Sequence, residues 1–359
     1  RHTIMKRLAV CSMLLALMGL SSCNKSDPAP ARSYRMGFQN SAPRFDNFDL
    51  FIQSLNIWTQ RADAAIMTHE VPWEQLLSGT TPEAYINTNF KDLAAFYRSK
   101  NFELWVYIDP QNGLDRANDA VDLQQAGRSI SEPAIQQLYQ EFLLAFDAIL
   151  QPEHLGLALE TNLIRTAAPS VIYQGVKTAA NKAAQVLKAR GSKAKLSVSV
   201  QVDHAWGKLA GGSFEGIAQD FTDFPFVEEL GLSSYPYFGF DKPADIPLNY
   251  YSQLVEGKNI PVFISEGGWT SGSVNAPTRV FTSSPQAQAD YISRHHDLLM
   301  AVNATAVFQL VFTDLDLTGL PVDVPPSIAY FAYLGLVDQQ LQPKPALTAW
   351  DQLFELPRQ

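Results

Sequence analysis

From Tyr34 to the end of the chain, short apolar or β-branched runs alternate with segments of helical period. "YRMGF" (Tyr34–Phe38) precedes the amphipathic "NFDLFIQSLNIWTQ" (Asn47–Gln60), and "DAAIMT" (Asp63–Thr68) precedes a helical pattern over 82–99. "FELWVYID" (Phe102–Asp109) leads to 133–150, "HLGLALE" (His154–Glu160) to 170–190, and "KLSVSVQV" (Lys195–Val202) to a weaker pattern over 214–221. "VEELGLSSY" (Val227–Tyr235) is followed by 248–255, and "IPVFISE" (Ile260–Glu266) by 285–300, where Ser284 and Pro285 make an N-cap and first helical residue. "ATAVFQLVF" (Ala304–Phe312) leads to 327–336 and a last helix over 345–354. Mostly continuous apolar strands, each followed by a helix, predict a parallel sheet covered on its outer face. Eight such units fit a single (β/α)8 barrel over 34–359. A doubly wound sheet with a second domain is the alternative.

Residues ahead of Tyr34 read differently. Met5-Lys6-Arg7 is basic, "LAVCSMLLALMGL" (Leu8–Leu20) is too short to span a membrane, and Ser21-Ser22-Cys23 follows. This resembles the lipobox of bacterial lipoproteins, which implies a signal peptide over 1–23, lipidation of Cys23 and a lipid anchor. The polar, Pro/Ala-rich "NKSDPAPARS" (24–33) reads as a tether. The expected place is therefore the bacterial cell envelope, as an outer-membrane lipoprotein.

Cys11 and Cys23 are the chain's two cysteines, so past residue 23 there is no disulfide, thiolate metal site or cysteine nucleophile. Of 27 basic and 36 acidic residues, three basic ones fall in 1–23, which leaves a net charge near −12. So acidic a surface argues against a nucleic-acid partner. Oligomeric state is left open by the sequence.

In a (β/α)8 barrel the site forms at the C-terminal strand ends. The polar residues there are Gln39 and Asn40, His69 and Glu70, Asp109, Glu160 and Asn162, Asp203, His204 and Trp206, Tyr235 and Tyr237, Glu266 and Trp269, and Thr313 and Asp314. Two of them, Glu160 after strand four and Glu266 after strand seven, are glutamates in otherwise apolar settings. Opposed carboxylates across a barrel mouth are what glycosidic cleavage requires: one donates a proton to the leaving oxygen, the other attacks the anomeric carbon or activates water.

In these strands the chain resembles the clan A glycoside hydrolases, retaining (β/α)8 enzymes with catalytic glutamates after strands four and seven. "LGLSSYPYF" is similar to their strand six, "PVFISEGGW" to strand seven, and "LVDQQLQPKPALTAW" to the closing segment. The strand-six and strand-seven text most resembles the endo-β-1,4-galactanase group. The resemblance implies Glu266 as nucleophile, Glu160 as acid/base, Tyr235 as the residue that orients the nucleophile, and no metal or organic cofactor. It departs at strand four, where Leu159 stands in place of an Asn that binds the sugar 2-hydroxyl. Either Asn162 or Gln201 takes over that contact, or the site is degenerate. Strand eight ends in Phe312, without the tryptophan often found there.

The expected activity is retaining hydrolysis of a β-linked poly- or oligosaccharide; the alternative is a catalytically inactive glycan-binding lipoprotein on the same barrel. His69, Asp109 and His204 are candidates for holding hydroxyls. Trp73, Trp206 and Trp269 are candidates for stacking on sugar rings, and Trp105 and Trp350 are expected in the core. His295 and His296 are expected on a helix surface. No HExxH, phosphate-binding glycine loop or GxSxG elbow is present. A Tyr235 hydroxyl on Glu266 would lower the Glu266 pKa, while apolar "LGLALE" would raise that of Glu160.

Overall fold

The computed structural model describes residues 27–276, 279–318, 320 and 324–359. The signal peptide and the lipidated Cys23 expected from the sequence lie outside the described residues. The folded unit runs from Ala31 to Gln359. Arg32, in the stretch read as tether, belongs to it: its buried guanidinium pairs with Asp63 at 3.0 Å, and its backbone bridges Arg358.

Eight strands form one parallel sheet: β1 (Arg35–Phe38), β2 (Ala64–Glu70), β3 (Glu103–Asp109), β4 (His154–Gly156), β5 (Lys195–Gln201), β6 (Glu229–Ser234), β7 (Val262–Gly267) and β8 (Ala306–Gln309). Neighbours in sequence are neighbours in the sheet, and β8 pairs with β1. The circle closes between β1 and β2, where Gln39 bridges Ile66 in parallel and the Asp63 N–H donates to the Met36 carbonyl. This is the expected (β/α)8 barrel.

Strand periodicity explains the interior. On β6 the inward positions are Glu229, Gly231, Ser233 and Tyr235, while Leu230 and Leu232 face the helices. On β3 they are Glu103, Trp105, Tyr107 and Asp109. The lower layer holds His154 between Glu229 (2.6 Å) and Glu103 (2.5 Å), stacked on Trp105 with ring centroids 3.6 Å apart. Burial opposes charge on His154, but the two carboxylates outweigh it and raise its pKa. In the middle layer Tyr107 fills the barrel. Its hydroxyl meets Ser197 at 2.9 Å, and a Cβ on Gly156 or Gly231 would fall within 2.3 Å of its atoms, so both positions need glycine. The upper layer opens to solvent and carries the polar groups described below.

The helices on the outer face follow the sequence closely where caps are strong. Ser284 accepts the Ala287 N–H at 3.1 Å and Pro285 opens Pro285–Ala301; Ser170–Ala189 and Pro133–Leu150 stand as expected. Elsewhere tertiary contacts override the pattern. The 82–99 pattern splits at Phe90 into Pro82–Asn89 and Lys91–Ser99. The 248–255 pattern is only a 3₁₀ turn over Ser252–Val255, because the Tyr250 and Tyr251 rings are drawn into the core. The 214–221 pattern is a helix over Ala218–Asp223, and 327–336 begins as a 3₁₀ turn, Pro326–Phe331. A hairpin of Val274–Ala276 with Arg279–Phe281 is an addition the periodicity did not indicate. His295 is not at the surface. It lies buried between Tyr291 and Tyr251, whose hydroxyl is 2.6 Å away, and burial pushes its pKa down to about 3. Trp105 and Trp350 are core residues as expected.

Candidate active site

The C-terminal strand ends surround a cavity of about 800 Å³, and Glu160, Glu266, Tyr235, Asp109, His69 and Gln201 all line it. Glu266 does not reach it by simple alternation, and Glu160 reaches it through an irregular strand end. On β7 Phe263 points into the barrel, so strict alternation would turn Glu266 outward. The register with β6 shifts after Leu232: Ser233 pairs with Glu266 rather than with Ser265, whose hydroxyl donates to the Leu232 carbonyl. This bulge re-aims Glu266 into the mouth. On the β4 side Leu159 packs inside the barrel, and Glu160 then adopts a left-handed conformation, φ 49°, as it caps the helix Thr161–Ala167. A non-glycine residue held there stores strain, as functional positions often do. The Glu160 N–H is fixed by the Ser199 hydroxyl at 2.9 Å.

The two carboxyl groups meet different surroundings. Glu266 accepts the Tyr235 hydroxyl at 2.5 Å. Tyr235 is itself held by a buried Asp203, which accepts the Tyr235 N–H at 2.8 Å and also bonds the Tyr250 hydroxyl and the Gln201 amide. Glu160 accepts Arg116 Nε at 3.0 Å on one oxygen and the Ser233 hydroxyl at 2.9 Å on the other. Arg116 Nη1 also bridges both Asp109 oxygens, at 3.1 and 2.8 Å, and the whole triad is buried. Burial outweighs the guanidinium and raises the Asp109 pKa.

The electrostatics of Glu266 differ from the sequence expectation. Burial, then the neighbouring Glu160 charge, push its pKa up to about 8; the Tyr235 hydrogen bond pulls the other way and is overcome. Glu266 thus holds a proton at neutral pH. Glu70, exposed at the rim of the same cavity, accepts the Gly113 N–H at 3.1 Å. His69 is pushed down to about 4 by burial and stands neutral, 3.0 Å from the Tyr85 hydroxyl.

Other candidates lie away from the mouth. Asn162 is buried and spent on the Gln201 backbone, accepting its N–H at 2.8 Å and donating to its carbonyl at 2.9 Å. It cannot replace the Asn missing at Leu159, because the helix starting at Thr161 turns it back onto β5. Gln201 does line the cavity, but its side chain bonds Asp203 and the His204 N–H. His204 sits 2.9 Å from the Thr166 hydroxyl and not on the cavity. Trp206 donates to the Tyr250 carbonyl at 2.8 Å and stacks on that ring. Trp269 is buried against Tyr291 and Phe281, and Trp73 is buried with its Nε1 on the Pro110 carbonyl. Their indoles serve the core, where each finds the partner a buried N–H needs.

Sequence reasoning missed Arg116 and Ser233. The Ser233 position is legible from alternation on β6. Arg116 comes from the loop after β3, folded back by the Asn112 side chain, which accepts the Leu114 and Asp115 N–H groups. Among the described residues no group of three or more His, Cys, Asp or Glu side chains is placed to hold a metal.

No protein-family model and no curated protein matches the chain. Solved structures do. A GH5_18 protein from Bifidobacterium longum subsp. longum, in complex with Manβ1-4GlcNAc, is 14% identical with a TM-score of 0.60, over 91% of this chain and 80% of that one. An endo-1,4-β-xylanase from Penicillium canescens is 14% identical with a TM-score of 0.59, over 90% and 94%. An exo-β-1,4-mannosidase from Opitutaceae bacterium strain TAV5 is 13% identical with a TM-score of 0.62, over 91% and 60%. At such identities the likeness is one of fold alone, over the barrel that this chain forms.

Proposed function

We propose that the chain is a glycoside hydrolase that cleaves a β-linked glycan with retention of configuration. The observation that carries this is the delivery of a buried and a half-buried carboxyl group, from the ends of β4 and β7, into one cavity by two local departures from regular strand. Glu266 would attack the anomeric carbon while Glu160 protonates the departing oxygen. Glu160 would then take a proton from water as that water displaces Glu266, restoring both groups. Tyr235, anchored by Asp203, would orient the nucleophile. The named barrels of like fold include a xylanase and a mannosidase, which supports a β-linked glycan, and the strand-six and strand-seven text adds β-1,4-galactan to the candidates. The test is proton NMR during hydrolysis of β-galactosides, β-glucosides and β-mannosides. The β-anomer should be released first, and release of the α-anomer would exclude the retaining mechanism.

One observation favours the second reading, a glycan-binding protein without turnover. Both contacts of Glu160 use it as an acceptor, whereas the first chemical step needs it to donate a proton. Saturable glycan binding with no product from any substrate would establish that reading.

We also propose that the chain is a lipoprotein of the cell envelope, tethered through Cys23. The basic, apolar and Ser-Ser-Cys segments of residues 5–23 support it, and among the described residues no helix is long and apolar enough to cross a membrane. Cys23→Ser should abolish incorporation of labelled fatty acid and release the protein from the membrane fraction. Unchanged labelling and fractionation would refute the anchor.

A further inference from the structure

We infer that Arg116 recognises the sugar whose glycosidic bond is cleaved, its Nη2 donating a hydrogen bond to the 2-hydroxyl. The inference rests on the hydrolase reading above. Only 4% of the Arg116 side chain is exposed, yet it lines the cavity. Its Nε is on Glu160 at 3.0 Å, and its Nη1 is on both Asp109 oxygens, at 3.1 and 2.8 Å. Nη2 has no hydrogen-bond partner among the described residues, nor is it sealed from solvent, so it is the donor this side chain offers to the cavity. A guanidinium holds its N–H groups in a rigid planar fork, so the bonds made by Nε and Nη1 also fix where Nη2 points. The loop that carries it is fastened in turn: Asn112 accepts the Leu114 and Asp115 N–H groups, and Asp115 accepts that of Ala117.

Charge decides what Nη2 takes. Two carboxyl groups, Asp109 and Glu160, already share the one guanidinium, so its remaining N–H suits a neutral oxygen. Position decides which oxygen. Glu160, as the proposed proton donor, stands against the oxygen bonded to the anomeric carbon, and Nε of the same fork is on Glu160. An acceptor on Nη2, further along that fork, therefore lies beside the glycosidic oxygen, and the sugar hydroxyl there is the one on C2. Hydrogen bonds at this hydroxyl strengthen as the oxocarbenium-like transition state forms, so the contact would act on the chemical step. The neighbouring groups are committed elsewhere. Tyr235 is on Glu266, Gln201 is on Asp203 and the His204 N–H, Asn162 is on the Gln201 backbone, and the Leu159 side chain has no polar atom.

The experiment is a double-mutant cycle between Arg116→Lys and the 2-hydroxyl, read as kcat/KM. Its substrates are aryl β-glycosides of the sugar that is cleaved and their 2-deoxy counterparts. Lysine keeps a cation between Asp109 and Glu160 but has one nitrogen in place of the fork. The substitution should cost at least about thirtyfold with the hydroxyl present and less than about threefold without it. Equal costs on the two substrates overturn the inference, leaving Arg116 as a group that only holds Glu160 and the hydrolase reading intact. A second measurement needs the parent alone, and so serves if the variant does not fold. Calorimetry compares methyl β-galactoside, β-glucoside and β-mannoside with their 2-deoxy analogues. Binding at least about tenfold weaker without the hydroxyl supports the contact, and equal binding, or none, overturns it. If nothing is cleaved the hydrolase reading fails, and calorimetry alone decides the contact.

Discussion

Glu266→Gln is expected to abolish turnover and, above neutral pH, to make the protein more stable. An amide is no nucleophile, so kcat/KM should fall by a factor on the order of 10⁴ or more. The gain in stability follows from the site's electrostatics. Burial, and then the Glu160 charge, raise the Glu266 pKa from 4.5 to about 8. Between those two values the folded chain keeps a proton that the unfolded chain has lost. Stability contributed by Glu266 is therefore fully present below about pH 4.5 and declines as pH rises through about 8. Glutamine keeps the shape, can still accept the Tyr235 hydroxyl and carries no charge to desolvate. The variant should melt at least about 2 °C above the parent at pH 9, with the difference vanishing near pH 4. Calorimetry and a rate assay on one preparation suffice. A variant that hydrolyses glycans at the parental rate removes Glu266 from the chemistry, and one that melts below the parent at pH 9 removes the charge argument.

The barrel was legible because its signals are local and repeated. Each strand is an apolar run of the right length, and caps such as Ser284-Pro285 mark where helices begin. The inward face of β6, Glu229-Gly231-Ser233-Tyr235, can be read from alternation alone. The site was legible only in part, since its decisive features break that alternation. Nothing in "PVFISEGG" announces a bulge at Ser265, and nothing in "LALETN" announces the left-handed turn at Glu160. Strand-end position had already named both glutamates, although strict alternation along β7 would have turned Glu266 outward. Residues that depend on how loops fold over the mouth were beyond reach: Arg116 went unnoticed. Asn162, His204, Trp206 and Trp269 stand in the right stretches of sequence, but their side chains are committed elsewhere. The expected lowering of the Glu266 pKa failed for a related reason. The Tyr235 hydrogen bond was foreseen from adjacent strands, but burial and the proximity of Glu160 together outweigh one hydrogen bond, and neither is visible in sequence.

The proton count of the glutamate pair leads to the last expectation, for Glu160→Ala. Catalysis with Glu266 as nucleophile needs Glu266 ionised, so in the parent kcat/KM should rise with pH toward the value near 8 that burial and Glu160 impose. Removing the Glu160 carboxylate takes away the second of those causes and leaves Arg116 with Asp109 alone. The Glu266 pKa should then fall, and the acidic limb of the profile should move to lower pH. The same substitution removes the proton donor. Glycosides with poor leaving groups should lose about 10²- to 10⁴-fold in kcat/KM, while an activated aryl glycoside, which needs little protonation, should keep much of its first step. Because the carboxyls are coupled, the limb belongs to the pair and its displacement is the informative quantity. Two independent readouts therefore test one assignment, and a purely structural role for Glu160 moves neither in this way: it would cost both substrate types alike and leave the limb in place. Equal losses with an unmoved limb would withdraw Glu160 as acid/base and leave it as the buried anion that holds Arg116, which is the arrangement expected of a barrel that binds glycans without cleaving them.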